Sequence, residues 1–347
     1  MSDNSLTDRF NLTKTTVLLN GTQALVRLLL TQKARDTIKG FNTAGLVTGY
    51  RGSPLGAVDS QMAKVPKELE EHNITFQPGL NEDLAATALW GTQQAELRGE
   101  GLYDGVFGLW YGKGPGVDRS GDVMKHANMA GSSRKGGVLM AMGDDHTGES
   151  STVLHQSDFA MIDASIPILS PAGVQEIIDY GLYGWALSRF SGLWVGLKVM
   201  KDTVEATSVV DGDINRMSFS EPSLKMPEGG LNIRLIDEPV NQEARLVEYK
   251  IDAAKSFAKE NKIDKCNKIN KVNTINLKSL KVFAGTGEPQ KAEMTLDVYG
   301  DIKEASETGD GPVDAIFKCI KTLYPHDVNL QLYQVHAVTE GTDAQAT

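Results

Sequence analysis

Four short segments of the chain carry side chains able to bind or move charge. In Pro78-Gly79-Leu80-Asn81-Glu82-Asp83 the Asn81 amide can cap a following helix, and Glu82 and Asp83 in its first turn complement the helix dipole. On residue type alone, Glu82 is a helix-start carboxylate. Thr48-Gly49-Tyr50-Arg51-Gly52-Ser53-Pro54 joins one cation to one aromatic ring, and Arg51 can fork onto a substrate carboxylate or pair with a surface acid. Gly112-Lys113-Gly114-Pro115-Gly116 suggests a phosphate loop, but Gly108 precedes Lys113 by one residue too few, and Gly114 stands where Ser or Thr must hold magnesium. What remains is Lys113 in a loop whose glycines let the backbone approach a ligand closely. Asp144, Asp145 and His146, with His155 shortly after, combine two acids with imidazole. Such a group can be a metal site, an acid–base cluster or a capping turn. No second ligand group at helical spacing supports a metal, and no His-Glu-x-x-His or nucleophile-elbow pattern accompanies it.

Each segment follows a short apolar run or opens a helix. Ala44 to Val47, Gly105 to Tyr111, Gly137 to Met142, Ile166 to Leu169 and Leu193 to Val199 are bounded by Gly, Pro or charge and mostly unalternating, as buried parallel strands are. Helical stretches lie between them at Gly21 to Thr37, Asn81 to Arg98, Val123 to Gly131 and Gly173 to Phe190. Strands spaced by helices predict an α/β fold with a doubly wound, mainly parallel sheet. Ligands of such sheets sit beyond the carboxyl ends of the strands, where the charged loops fall.

With 347 residues the length predicts two domains, and a net charge of -10 argues against a nucleic-acid partner. From Tyr249 to Lys281 nine lysines face three acids, with no aromatic ring in Cys266 to Asn276, which reads as a solvated lysine-rich helix end. Cys266 and Cys319 are the only cysteines, too few for a disulfide framework, a zinc site or an iron–sulfur cluster, and they fit a reducing cytoplasm. The apolar stretch Tyr180 to Met200 is broken by Ser188, Arg189 and Ser191, so it predicts a helix, a turn and a buried strand, with no membrane partner.

The runs Asn81-Glu82-Asp83-Leu84-Ala85-Ala86-Thr87-Ala88, Gly112 to Arg119, His126-Ala127-Asn128-Met129-Ala130-Gly131 and Gly143-Asp144-Asp145-His146 resemble, in this order, the N-terminal part of indolepyruvate ferredoxin oxidoreductase. The resemblance covers residues 15–265 and implies the pyrimidine-binding domain of a thiamine diphosphate enzyme, within a first domain over 1–265. It implies that Glu82 is the catalytic carboxylate that contacts N1′ of the cofactor's aminopyrimidine. By the same likeness Tyr50, Arg51 and Ser53 lie over the thiazolium and the substrate carboxylate, and Lys113, Asp144, Asp145 and His146 line the same cleft. The domain would share thiamine diphosphate with a partner chain or domain that carries the diphosphate-binding motif. Magnesium and the 4Fe-4S clusters would be held by domains other than these, and ferredoxin would be an indirect partner. Gly309-Asp310-Gly311 does not supply the diphosphate motif, because it follows Glu304-Ala305-Ser306-Glu307-Thr308 and not a buried apolar strand.

Beyond the Asn/Lys-rich junction at 266–276 the pattern changes. Leu277 to Phe283, Glu293 to Tyr299 and Lys303 to Ser306 predict strands, Pro312 opens a helix over Val313 to Tyr324, and Val328 to Val338 begins another strand. On the helix Val313, Ile316, Phe317, Ile320 and Leu323 form the face expected to cover the sheet. Gly309-Asp310-Gly311-Pro312-Val313-Asp314-Ala315 and Ala337 to Gln345 resemble the C-terminal leucine-regulatory and dimerisation domain of 2-isopropylmalate synthase. This implies a small, incomplete α+β domain over 277–347 that ends after the first strand of its second module. It also implies leucine as a ligand, near Gly309, Asp310, Gly311, Pro312, Gly341 and Asp343, and a homo-oligomer. Three functions compete: part of a 2-oxoacid oxidoreductase, incomplete by itself; a leucine-binding regulatory and dimerisation segment; or a non-enzymatic product of joined reading frames.

Overall fold

The computed structural model describes residues 6–96, 99, 101–148, 154–224, 240–262, 275–283, 289–298 and 301–325. The chain divides into two compact units, residues 1–267 and 268–347.

In the first unit a 3-10 turn (Leu6–Phe10) leads to β1 (Thr16–Asn20) and α1 (Gly21–Ile38). Asn20 and Gln23 form a reciprocal capping box: Gln23 N donates to Asn20 Oδ1 at 2.8 Å and Asn20 N to Gln23 Oε1 at 3.0 Å. Then follow β2 (Thr43–Gly49), α2 (Ala57–Met62), α3 (Pro66–Glu71), β3 (Ile74–Phe76), α4 (Glu82–Gln94), β4 (Gly105–Lys113), α5 (Gly114–Arg119), α6 (Gly121–Ala130) and β5 (Val138–Gly143). The unit continues through α7 (Asp158–Asp163), β6 (Ile168–Leu169), α8 (Val174–Ser191), β7 (Val195–Lys198), α9 (Lys201–Glu205), β8 (Thr207–Asp211) and α10 (Val240–Glu260). Six strands form one parallel sheet in the order β3-β2-β4-β5-β7-β6. The fold is α/β, as the apolar runs predict, with β1 and β8 added as a separate antiparallel pair.

Both faces of the sheet are buried, which explains why its strands read as continuous apolar runs. Phe107, Leu109, Tyr111, Leu139 and Ala141 join one core with residues of α1 and α8 such as Leu25, Leu28, Ile177 and Trp185. Their alternates Trp110, Val138, Met140 and Met142 join the other, with Ala85 and Leu89 of α4 and Met124 and Ala127 of α6. The Tyr180 to Met200 stretch resolves into the end of α8, Gly192 in the left-handed region at φ 77°, and β7. No helix among the described residues is long and apolar enough to cross a membrane.

The lysine-rich stretch departs from expectation at Lys250. Its side chain is fully buried, and Nζ donates to Asn128 O at 2.8 Å and to Met129 O at the end of α6. Helical spacing places Lys250 on the face of α10 that also buries Ala253, Ala254 and Phe257, so it cannot be solvated. Lys255 and Lys259, on the other side, are exposed as expected.

The second unit is an antiparallel sheet of β9 (Ile275–Phe283), β10 (Gln290–Val298) and β11 (Asp301–Gly309), in the order β11-β10-β9, with α11 (Pro312–Leu323). Ala292, Met294, Leu296 and Val298 of β10 are buried with Ala315, Cys319 and Leu323 of α11, and Ile316 and Ile320 pack at the rim. The helix face therefore differs from the predicted one: Phe317 is 41% exposed, and Cys319 takes the central position, with Sγ donating to Ala292 O at 3.2 Å. Small Ala315 and Cys319 let α11 approach the sheet closely, and the bulkier Phe317 is turned outward. Val328 to Val338, Gly341, Asp343 and most of 266–276 lie outside the described residues.

Candidate functional site

Register brings the charged loops to one edge. Gly49 of β2 pairs with Tyr111 of β4, and Lys113 of β4 with Gly143 of β5, so the segments that follow β2, β4 and β5 leave the sheet side by side. Tyr50 N donates to Tyr111 O at 3.1 Å, which ties the Tyr50 to Ser53 loop to β4. A methyl group at Gly52 would lie 3.2 Å from Lys113 Cβ, and one at Gly143 would lie 3.1 Å from Pro54 Cδ. The three loops are thus in contact through glycines whose missing side chains permit it. Tyr50, Arg51 and His146 are exposed. The Ser53–Pro54 peptide bond is cis.

Glu82 is the first residue of α4. Asn81 caps the helix, its Oδ1 accepting from Leu84 N at 2.9 Å, and Trp110 Nε1 donates to Glu82 O at 3.0 Å. Asp83 is engaged by Arg119, whose Nε lies 2.9 Å from Asp83 Oδ1. The Glu82 carboxylate, partly buried, makes no hydrogen bond or ion pair among the described residues. Its tip rests over Gly116, where a methyl group would come within 2.7 Å of Oε1. The cap at Asn81 and the Trp110 bond to Glu82 O hold the turn, while the Glu82 carboxylate is left without a partner among the described residues.

Asp144 differs. Its carboxylate is 1% exposed, accepts from Ser157 N at 2.9 Å and from Ser157 Oγ at 2.5 Å, and lies 3.9 Å from Lys198 Nζ. Its role here is to fix the loop after β5. Asp145 is 5% exposed and forms an isolated β-bridge with His155, whose N donates to Asp145 O at 3.1 Å. His146 Nδ1 lies 3.3 Å from His155 O.

His155 and Asp118 belong to the same cluster, and sequence reasoning did not join them. His155 Nε2 is 2.8 Å from Asp118 Oδ2, and its buried Nδ1 has no hydrogen-bond partner among the described residues. The ring lies directly over Gly114, as Glu82 lies over Gly116, so imidazole and carboxylate both pack on α5. The two glycines two residues apart in Gly114-Pro115-Gly116 were the signal available. The pairing itself spans 37 residues and is made only by the fold.

Gly309, Asp310, Gly311 and Pro312 lie in the second unit, at the turn from β11 into α11. Asp310 N donates to Asp314 Oδ2 at 3.0 Å, and a side chain at Gly309 would strike the Asp314 carboxylate at 2.6 Å. The motif works as a tight strand-to-helix turn with Pro312 in the first helical turn.

Residues 252–347 match the family model described as the LeuA allosteric (dimerisation) domain. The 2-isopropylmalate synthase of Rhodopseudomonas palustris (strain TIE-1) is 66% identical over 68 residues, and so is that of Bradyrhizobium diazoefficiens. Each match takes in 20% of this chain, which spans only 13% of the length of those relatives. Among solved structures, the 2-oxoglutarate:ferredoxin oxidoreductase from Magnetococcus marinus with 2-oxoglutarate, coenzyme A and succinyl-CoA bound is similar over 78% of this chain and 48% of that one. Its TM-score is 0.49 and its sequence identity 13%. The C-terminal segment is thus similar to part of the 2-isopropylmalate synthases, within a match to their allosteric (dimerisation) domain.

Proposed function

We propose that residues 1–265 contribute the aminopyrimidine-activating half of a thiamine diphosphate site in a 2-oxoacid:ferredoxin oxidoreductase, with indolepyruvate as the substrate. The observation that carries this reading is the Glu82 carboxylate, partnerless among the described residues, partly buried and seated on Gly116 at the carboxyl edge of a parallel sheet. Such a carboxylate suits a ring nitrogen, which it would hold by a charge-assisted hydrogen bond. When bound, thiamine diphosphate supplies the electron sink for cleavage beside a 2-oxoacid carbonyl. Arg51, exposed on the adjoining loop, would receive the substrate carboxylate in a bidentate pair, and Lys113, Asp145 and His146 would border the same space. A separate chain or domain would bring the diphosphate-binding motif with magnesium, and the 4Fe-4S clusters that pass electrons to ferredoxin.

The test is Glu82→Gln, assayed with indolepyruvate, ferredoxin, thiamine diphosphate, magnesium and a chain bearing the diphosphate-binding domain. Turnover is expected to fall by about 10²-fold or more. The tryptophan fluorescence unfolding midpoint should stay in place, because the carboxylate has no partner to lose. Retained turnover would refute the assignment.

A second reading rests on the match over 252–347. Residues 277–347 would then act as a leucine-responsive regulatory and dimerisation segment that makes the chain a homo-oligomer. Leucine titrated calorimetrically into the full chain should give saturable heat, and sedimentation should give at least a dimer. A monomer without leucine heat would sink this reading and leave the first intact.

A further inference from the structure

At the opposite end of the parallel strands from Glu82 the first unit carries a cavity of about 330 Å³. Lys39 and Phe41 reach it from just before β2, and Arg134 and Lys135 from just before β5. It is therefore about one strand length from the Glu82 cluster, on the order of 20 Å for the six residues of β5. Five cations line it: Lys39, Arg134 and Lys135, together with Arg35 of α1 and Arg189 of α8. The acids that line it are Asp36 and Glu221.

The Asp36 carboxylate is already spent, because Arg189 forks onto it with Nη1 at 2.6 Å and Nη2 at 2.7 Å. Glu221 meets Arg134 only at 3.4 Å, with both side chains more than 60% exposed. Lys135 lies 3.4 Å from Asp104 and 5.0 Å from the centre of the Phe41 ring. Lys39 has no ion pair among the described residues. Its ammonium is pushed below the ordinary lysine value by burial first and then by Arg35 and Arg189. Five cations against two acids leave the lining net positive, within a chain whose net charge is -10. Phe219 and Phe257 with Leu182 and Ala186 supply an apolar wall. Cations converging on a concave apolar wall are the complement of an anion with a flat ring attached.

We infer that this cavity, formed by Lys39, Arg134, Lys135 and the Phe41 and Phe219 rings, is a binding site for a phosphate ester that carries an aromatic ring, of the nucleoside diphosphate class. The phosphates meet Lys39, Arg134 and Lys135, and the ring lies against the phenylalanine wall. The site is separate from the Glu82 cluster and does not depend on the function proposed for it.

Isothermal titration of the full chain at low salt with ADP, pyrophosphate and adenosine tests this. ADP is expected to bind at one site, pyrophosphate about tenfold more weakly, and adenosine not measurably. The double variant Lys39→Glu, Arg134→Glu alters exposed side chains and should weaken ADP at least tenfold, with the circular dichroism spectrum unchanged. Glu82→Gln should leave ADP affinity as it is. Absence of ADP heat, equal binding of adenosine, or full affinity in the double variant would overturn the site. Pyrophosphate as tight as ADP would overturn the ring contact, and weakened binding in Glu82→Gln alone would move ADP to the other end of the sheet.

Discussion

The two sheets of this chain are closed in different ways. In the first unit both faces of the six-stranded parallel sheet are buried, so the surface left for chemistry lies at the strand ends. In the second, α11 packs with β10 and β11, and β9 is left with Leu277 at 58%, Leu280 at 39% and Val282 at 40% exposure. These residues pair with Leu296, Met294 and Ala292, so they share the apolar face that the helix covers elsewhere. A doubly covered sheet gathers side chains from several loops at its edge, which suits a site for a small ligand. A half-covered sheet presents apolar surface along a strand, which suits contact with protein.

The comparison can be broken at its strongest point by Asp36→Ala. Asp36 is 1% exposed, holds Arg189 by two bonds and accepts from Thr43 Oγ1 at 2.8 Å. Its removal leaves a guanidinium uncompensated, and a loss of about 3–5 kcal/mol is expected. All four tryptophans lie in the first unit, at Trp90, Trp110, Trp185 and Trp194, so denaturant unfolding followed by fluorescence reads this loss there. A change under about 1 kcal/mol would mean that the doubly covered core does not depend on this pair.

Leu296→Ala addresses the smaller sheet. Leu296 is 5% exposed at the centre of its core, and its truncation should cost about 2–4 kcal/mol. Amide exchange in β9 to β11 should then accelerate, with the tryptophan transition unmoved. A matching fall in that transition would show that the units do not unfold separately.

Taken per pH unit, the smallest effect concerns Lys250, whose ammonium burial pushes down to about 7. Below that pH both the folded and unfolded chains carry the proton. Between about 7 and the ordinary lysine value near 10.4 only the unfolded chain keeps it, so stability rises with pH across this window. The limiting slope is about 1.4 kcal/mol per pH unit, and Lys250→Met should remove it from urea unfolding measured from pH 7 to 10. The same slope in wild type and variant would show that Asn128 O and Met129 O keep Lys250 charged.

Much of the scaffold was legible because its signals are local. Short apolar runs between glycines gave β2, β4, β5 and β7, and Asn81 and Pro312 marked helix starts that the structure keeps. The pair β1 and β8 was missed because strands of five residues with only two and one buried positions carry little pattern. The outward turn of Phe317 and the burial of Lys250 were missed because apolarity predicts burial only on average, and packing against a particular neighbour overrides it. At the sheet edge, the adjacency of the loops after β2, β4 and β5 followed from the rule on strand ends, whereas the seat of Glu82 on Gly116 did not. Nor did the pairing of His155 with Asp118.

The sequence by itself determined an α/β sheet followed by a short antiparallel unit, the change of texture between them and the loops that carry charge. These depend on neighbours a few residues apart, whose periodicity and turn chemistry are written along the chain. Tertiary structure alone decided that Glu82 stays free of described partners while Asp144 is consumed by Ser157, and that His155 meets Asp118 over Gly114. It also gathered Lys39, Arg134 and Arg189 around one cavity. Each of these turns on which residues, tens of positions apart, compete for the same hydrogen bond or the same space, and only the folded chain settles that competition.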